Sequence, residues 1–178
     1  NYCKKIKINF LFTPVSHDWI NFIKKNSSVI KIASGDLNFN FLIKKIVEQN
    51  FNIILSTGIS DFKEIKKTYN LIKKKYKDKT KNKLVLLHCV SSYPVNDFDA
   101  NLRSIAYLKK KFNITVGYSN HVNGINACLG AITLGAKVIE FHFTDNKKRK
   151  FRDHQLSLDK DDVKNLVKIG NLFNKLMG

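Results

Sequence analysis

The chain has 178 residues, 43% hydrophobic and 26% charged, an ordinary globular balance that excludes wholesale disorder. Its formal net charge is +18, carried by Lys with only Arg103, Arg149 and Arg152 beside it. Nucleic-acid sites favour the Arg fork, and a chain crowded with Lys, Asn and Ile reflects AT-rich codons, so nucleic acid is set aside as a partner.

In chain order, six apolar runs recur, each followed by a polar loop and a helical pattern. The run Asn9–Thr13 precedes a stripe of Ile20, Phe22 and Ile23. Val29–Ser34 leads to Phe39, Leu42, Ile43, Ile46 and Val47. Ile53–Thr57 leads to Phe62, Ile65, Tyr69, Leu71 and Ile72, with Asp61 and Glu64 spaced as a capping box. Leu84–Val90 leads to Leu102, Ile105, Ala106, Leu108 and Phe112, and Thr115–Ser119 to a small apolar helix within Gly124–Leu134. Lys137–Thr144 leads to a last helix opened by Leu158 and Asp159 and continuing through Val163, Leu166, Val167 and Leu172. Acidic Asp159, Asp161 and Asp162 suit its N-terminal dipole.

Runs rich in Ile, Val, Leu and Phe are expected of strands buried on both faces. Alternating with helices, they predict a parallel sheet with helical crossovers. Two architectures satisfy this: an open doubly wound sheet, or most of a (β/α)8 TIM barrel. No apolar run approaches the roughly 20 residues of a membrane span, and Asn1–Lys5 offers no signal-peptide core. Cys3, Cys89 and Cys128 are too scattered for a disulfide framework or a zinc pattern, which predicts a reducing, cytoplasmic setting. The chain does not begin with Met and is expected to be a piece of a longer protein.

Polar residues collect where the strands end: Thr13, then Lys31 and Ser34, Ser56 and Thr57, His88 and Ser91, Ser119 and His121, Glu140 and His142. Parallel strands place these ends on one face, where barrel enzymes keep their chemistry. Parity puts Glu140 and His142 on one side of their strand, with Ile139, Phe141 and Phe143 toward the helices. Gly117, Ser119 and His121 likewise oppose Val116 and Tyr118. Neighbouring strands lie about 4.8 Å apart, so His121 and His142 can reach one metal ion while leaving positions open for substrate. The bland alternative, two core imidazoles hydrogen-bonded separately, fits a lone His better than this pair. Lys31, inside an apolar strand, suits an anion or a Schiff base. A Lys snorkelling to the barrel mouth is its bland alternative. His88 is expected to be structural and His17 solvated. The Lys73–Lys75 and Lys109–Lys111 runs are expected on solvent faces.

The strings FLFTP (Phe10–Pro14), KIASGDL (Lys31–Leu37), ILSTGIS (Ile54–Ser60), LLHCVSSYP (Leu86–Pro94), NLRSI (Asn101–Ile105), VGYSNH (Val116–His121), TLGAKVIEFHFT (Thr133–Thr144) and RDHQLSL (Arg152–Leu158) carry a resemblance. Together and in this order, the chain resembles the sialic acid synthase family, phosphoenolpyruvate-dependent synthases of N-acetylneuraminate and related nonulosonates. The resemblance implies a (β/α)8 barrel of which this chain is units three to eight. The first two units and the family's antifreeze-like domain are expected outside it. It also implies a homodimer for the full-length protein.

Residue by residue, the resemblance assigns Thr13, Lys31, Ser34, Ser56, Ser91 and Ser119 to phosphoenolpyruvate. It assigns Tyr93 and Asp153 to the acceptor sugar. His121 and His142 become the ligands of a divalent metal, Mn²⁺ in most members, with Mg²⁺ or Co²⁺ as alternatives. His121, His142, Lys31 and Asp153 form the catalytic set. The implied reaction joins C3 of phosphoenolpyruvate to the aldehyde of an N-acetylated sugar such as N-acetylmannosamine, with the metal polarising the carbonyl. Water adds at C2 and phosphate leaves. Departures from the family's pattern are Asn120 where Asp is usual, Phe141 where a basic residue often precedes the His, and Lys150-Phe151-Arg152 in place of a Pro-Gly-rich loop. Two alternatives remain from the residues: a Schiff-base pyruvate aldolase using Lys31, and a truncated or decayed barrel fragment without catalysis.

Overall fold

The computed structural model describes residues 2–178, Arg152 through its backbone. The chain divides into two compact units, Asn1–Ser56 with Ser60–Val85, and Thr57–Ile59 with Leu86–Gly178.

The first unit contains α1 (Tyr2–Lys5), α2 (Ile20–Asn26), β1 (Val29–Ile32), α3 (Asn40–Glu48), β2 (Asn52–Ser56), α4 (Phe62–Tyr76) and α5 (Thr80–Lys83). Strands β1 and β2 are parallel, with Ile30 opposite Ile53, Lys31 opposite Ile54 and Ile32 opposite Leu55. Ile30, Ile32, Ile53 and Leu55 are all buried on one face of this pair. Helix α3 buries Leu42, Ile43, Ile46 and Val47, the stripe expected from its spacing. Each fully buried aliphatic side chain contributes about 1.5–3 kcal/mol. Helix α4 begins at the expected capping box: the Asp61 carboxylate accepts the Glu64 amide, and Glu64 accepts the Asp61 amide. Its Thr68 hydroxyl donates to the Leu37 carbonyl at 2.7 Å, tying the helix to the loop after β1.

The second unit contains α6 (Ser104–Phe112), β4 (Thr115–Asn120), α7 (Asn126–Thr133), β5 (Ile139–Phe141) and α8 (Lys160–Leu176). The residues of β3 (Leu84–Cys89) are divided between the units, and strand order is chain order, β1-β2-β3-β4-β5. Strands β4 and β5 are parallel, with Ser119 opposite Glu140 and Asn120 opposite Phe141. At Gly117 the backbones come so close that a Cβ would lie 2.3 Å from the Val138 carbonyl oxygen and 2.6 Å from Leu87 Cδ2. Helix α8 opens with a second capping box, Asp159 with Asp162. Lys147 reaches both carboxylates and fastens the loop after β5 to this helix.

Several expectations need correction. Asn9–Thr13 is not a strand: only Phe12 pairs, with Ile30, and Lys31 N–H donates to the Phe12 carbonyl at 2.9 Å. An apolar run becomes a strand only where a ladder receives its amides. The last run is assigned as strand only over Ile139–Phe141, with one further pairing of Phe143 to Leu158. Its parity holds for Glu140, but Phe143 is 63% exposed rather than packed on helices. On α8, Leu166 and Gly170 are buried while Val167 and Leu172 face solvent. Phe39 and Leu102 precede their helices rather than belonging to them. Among the described residues, no helix is long and apolar enough to cross a membrane.

Candidate functional site

In the second unit the register of β4 and β5 carries on past both strand ends, setting His121 beside His142. Their ring centroids are 5.4 Å apart at an angle of 57°. The Tyr93 ring lies over His121 at 4.1 Å and meets His142 edge-on at 5.6 Å. Asp153, in the short 3₁₀ turn Arg152–His154, places a carboxylate oxygen 3.6 Å from His142 Nδ1. The Ser119 hydroxyl donates to the Glu140 carboxylate at 2.7 Å.

His121 is buried, and its Nδ1 meets the Val90 carbonyl at 2.7 Å. A carbonyl only accepts, so Nδ1 carries the proton and Nε2 keeps its lone pair. Burial pulls this imidazole below its ordinary pKa; the Val90 hydrogen bond opposes that, and the neighbouring His142 adds to it. The neutral form that binds metals is therefore favoured. Tyr93 is pushed up, first by burial and then by its neighbours Cys89, Asp153 and Glu140, so its phenol stays protonated. Among the described residues, no three His, Cys, Asp or Glu side chains are gathered to hold a metal. The donor chemistry fits a cation held by two imidazole nitrogens, with its other positions left to water or substrate.

The remaining candidates in this unit are differently occupied. Ser91 is half-buried, directly after the carbonyl that orients His121. His88 is buried, donates through Nε2 to the Ala100 carbonyl at 2.8 Å and stacks on Tyr118, the structural role expected of it. Thr57 donates its hydroxyl to the Leu87 carbonyl at 2.9 Å.

The first unit holds Thr13, Lys31, Ser34 and Ser56. Lys31 is only 6% exposed, and its Nζ lies 3.5 Å from the Ile32 carbonyl. Because Lys31 faces Ile54 in register, Ser56 shares its side of the β1–β2 pair, opposite the apolar set. Ser56 Oγ is buried with no hydrogen-bond partner. Ser34 opens a 3₁₀ turn after β1, and Thr13 is exposed beside a cleft of about 190 Å³ lined by Pro14, Trp19 and Phe22. A cavity of about 700 Å³ in this unit, lined by Lys4, Lys7, Phe10 and Ser28, contains none of the candidate residues. His17 is half-exposed beside Asp18, as expected.

Residue reasoning missed three features. Tyr93 packs against both imidazoles, Ser119 is engaged by Glu140, and Asn120 is bonded to the loop that follows it. Only the last has a local signal, an Asn whose side chain can meet the backbone two residues on.

The sequence pattern described as the NeuB family matches residues 1–178. The chain belongs to the NeuB family. Among NeuB-like relatives, the N,N'-diacetyllegionaminic acid synthase of Campylobacter jejuni is 36% identical over 178 residues, 99% of this chain and 53% of that protein. The N-acetylneuraminate-9-phosphate synthase of Drosophila melanogaster is 34% identical over 168 residues, 93% of this chain and 44% of its own length. The crystal structure of N-acetylneuraminic acid (sialic acid) synthetase from Leptospira borgpetersenii matches with a TM-score of 0.91 and 34% identity, covering 98% of this chain and 60% of that one. The chain thus spans about half the length of the curated relatives it matches.

Proposed function

We propose that the protein carrying this chain condenses phosphoenolpyruvate with the aldehyde of an N-acetylated amino sugar, forming a sialic acid-type nonulosonate and releasing phosphate. The observation that carries this reading is the pair of imidazoles at adjacent strand ends, one with its tautomer set by the Val90 carbonyl. Membership of the NeuB family supports it. The whole protein is then an eight-unit barrel that works as a homodimer in the cytoplasm, and this chain supplies its later units.

His121 and His142 would hold a divalent cation, Mn²⁺ first, with Mg²⁺ or Co²⁺ as substitutes. Bound there, the cation would polarise the sugar's aldehyde oxygen. The protein's own groups do the rest. Tyr93 presents a protonated phenol and an aromatic face to the sugar. Asp153 accepts a hydrogen bond from a sugar hydroxyl while its charge favours His142 as a donor. Lys31 offsets the charge of phosphoenolpyruvate, Thr13, Ser34, Ser56 and Ser91 donate hydroxyl hydrogens to its oxygens, and Ser119 would join them by turning its hydrogen away from Glu140. The unpartnered Ser56 Oγ supports that role, since a buried hydroxyl without a protein acceptor has its hydrogen to give. The acceptor is a sialic, legionaminic or pseudaminic type of precursor, the common element being an open-chain aldehyde beside an acetamido group.

The test is phosphate release from phosphoenolpyruvate by the full-length protein. It should require both an N-acetylated aldose and a divalent cation, and stop with chelator. Release that ignores chelator sinks the metal reading. Covalent trapping of Lys31 by pyruvate and borohydride would instead establish a Schiff-base aldolase. Inactivity of the full-length protein with every acceptor and cation would leave a non-catalytic descendant.

A further inference from the structure

Asn120, where the resemblance implies an acidic residue, has specific work in the structure. It is 2% exposed, and its carboxamide bonds entirely to the loop that follows. Oδ1 accepts the Val122 N–H at 3.2 Å. Nδ2 donates to the Val122 carbonyl at 2.9 Å and to the Gly124 carbonyl at 3.3 Å. Both amide hydrogens and one oxygen lone pair are used.

His121 lies inside this clamp, because bonds from residue 120 to residue 122 close around its main chain. The His121 carbonyl accepts the Val95 N–H at 2.9 Å, and Val95 also pairs with Val122. The loop that Asn120 holds therefore also anchors the segment carrying Tyr93, whose ring covers His121. With the main chain fixed on both sides, the imidazole keeps its Nδ1–H on the Val90 carbonyl.

We infer that Asn120 is a positioning residue, whose carboxamide sets the loop that aims His121 Nε2. A carboxylate cannot replace it. Oδ2 in the place of Nδ2 would bring a third acceptor against the Val122 and Gly124 carbonyl oxygens, with no hydrogen among them. Asp at this position is therefore disruptive here, because Asn120 holds the loop through its amide hydrogens. Only the consequence for metal binding rests on the proposed function; the clamp itself does not.

The experiment compares wild type with N120D, N120S and N120A in metal-free full-length protein at about pH 8, where unperturbed His is neutral. Long-range ¹H–¹⁵N correlations read the tautomer of each imidazole. Wild-type His121 shows the Nδ1–H form alone. N120D and N120A show a mixture. N120S keeps the wild-type form, because a hydroxyl still accepts from Val122 N–H and donates to one carbonyl. His88, held on Ala100, stays unchanged in every folded variant and reports that the core is intact. Mn²⁺ affinity falls about tenfold in N120D and less in N120S.

A folded N120D with His121 still wholly in the Nδ1–H form overturns the inference. If N120D does not fold, N120S decides: a tautomer mixture equal to that of N120A overturns it, and retention of the wild-type form supports it. If the tautomers shift as expected while wild type binds no Mn²⁺, the clamp stands and the functional reading fails.

Discussion

The two units hold their buried candidate serines in opposite ways. In the first, Lys31 and Ser56 share one side of β1 and β2, and the Ser56 hydroxyl has no partner. In the second, three candidates lean on another group of the same unit: Ser119 on Glu140, His121 on Val90 and His142 on Asp153. The protein orients the second set before any ligand arrives. In the first, the Ser56 hydroxyl keeps unused capacity. The difference separates variants that damage the fold from variants that damage only binding. Removing one member of a buried pair strands the other, whereas removing an unpartnered group leaves nothing stranded.

The largest effect is expected at the imidazoles. His121→Ala or His142→Ala should lower cation-dependent phosphate release at least about a hundredfold, with the far-ultraviolet circular dichroism unchanged. Retained activity would remove the second unit's claim to be the reactive half. Two serines then sharpen the contrast. Ser119→Ala removes a hydrogen bond to the part-buried Glu140 carboxylate and should cost about 1 kcal/mol in urea unfolding. Ser56→Ala should change stability by less than about 0.5 kcal/mol while raising the KM for phosphoenolpyruvate about tenfold. If Ser56→Ala unfolds the protein and Ser119→Ala does not, the comparison is reversed.

The pH dependence follows from two buried imidazoles in the second unit. His88 and His121 are both held below the ordinary pKa, mainly by burial. The folded state therefore binds fewer protons than the unfolded one. Their contribution is complete above the unfolded pKa of about 6.5 and is lost as pH falls through it toward the folded values. Urea midpoints should decline below neutrality, and His88→Gln should flatten that decline. The smallest effect is expected at Tyr93. Tyr93→Phe keeps the ring over His121 and should leave stability and Mn²⁺ affinity within about threefold of wild type. Tyr93→Leu removes the aromatic contacts and should cost about 0.5–1.5 kcal/mol.

Much of the frame was legible because it depends on local patterns. The capping box at Asp61 and Glu64, the buried stripe Leu42–Val47 and the parallel alternation all follow from residue spacing. The pairing of His121 with His142 followed from their lying at the polar ends of consecutive runs, Thr115–Ser119 and Lys137–Thr144. What was hidden depends on partners distant in sequence. Nothing in FLFT says that only Phe12 finds a ladder, and nothing in SYP says that Tyr93 will lie on an imidazole. Phe143 read as core by parity, but burial requires an element to cover it, and parity supplies only the direction. Thr13 and Ser34 stood out as polar strand ends, but their assignment to phosphoenolpyruvate, like the role of Asp153, came from the family resemblance.

Gly117 has a consequence for how freely this sequence can vary. A single methyl group there would stand 2.3 Å from the Val138 oxygen, on backbone that the neighbouring Lys137–Val116 and Tyr118–Val138 hydrogen bonds hold in place. No rotamer can relieve a clash that begins at Cβ. In a library randomised at every codon, most surface lysines should accept many replacements, while position 117 should return glycine alone. The spacing of β4 from its neighbour, and with it the placement of Ser119 and His121 further along the strand, is thus written in the absence of a side chain.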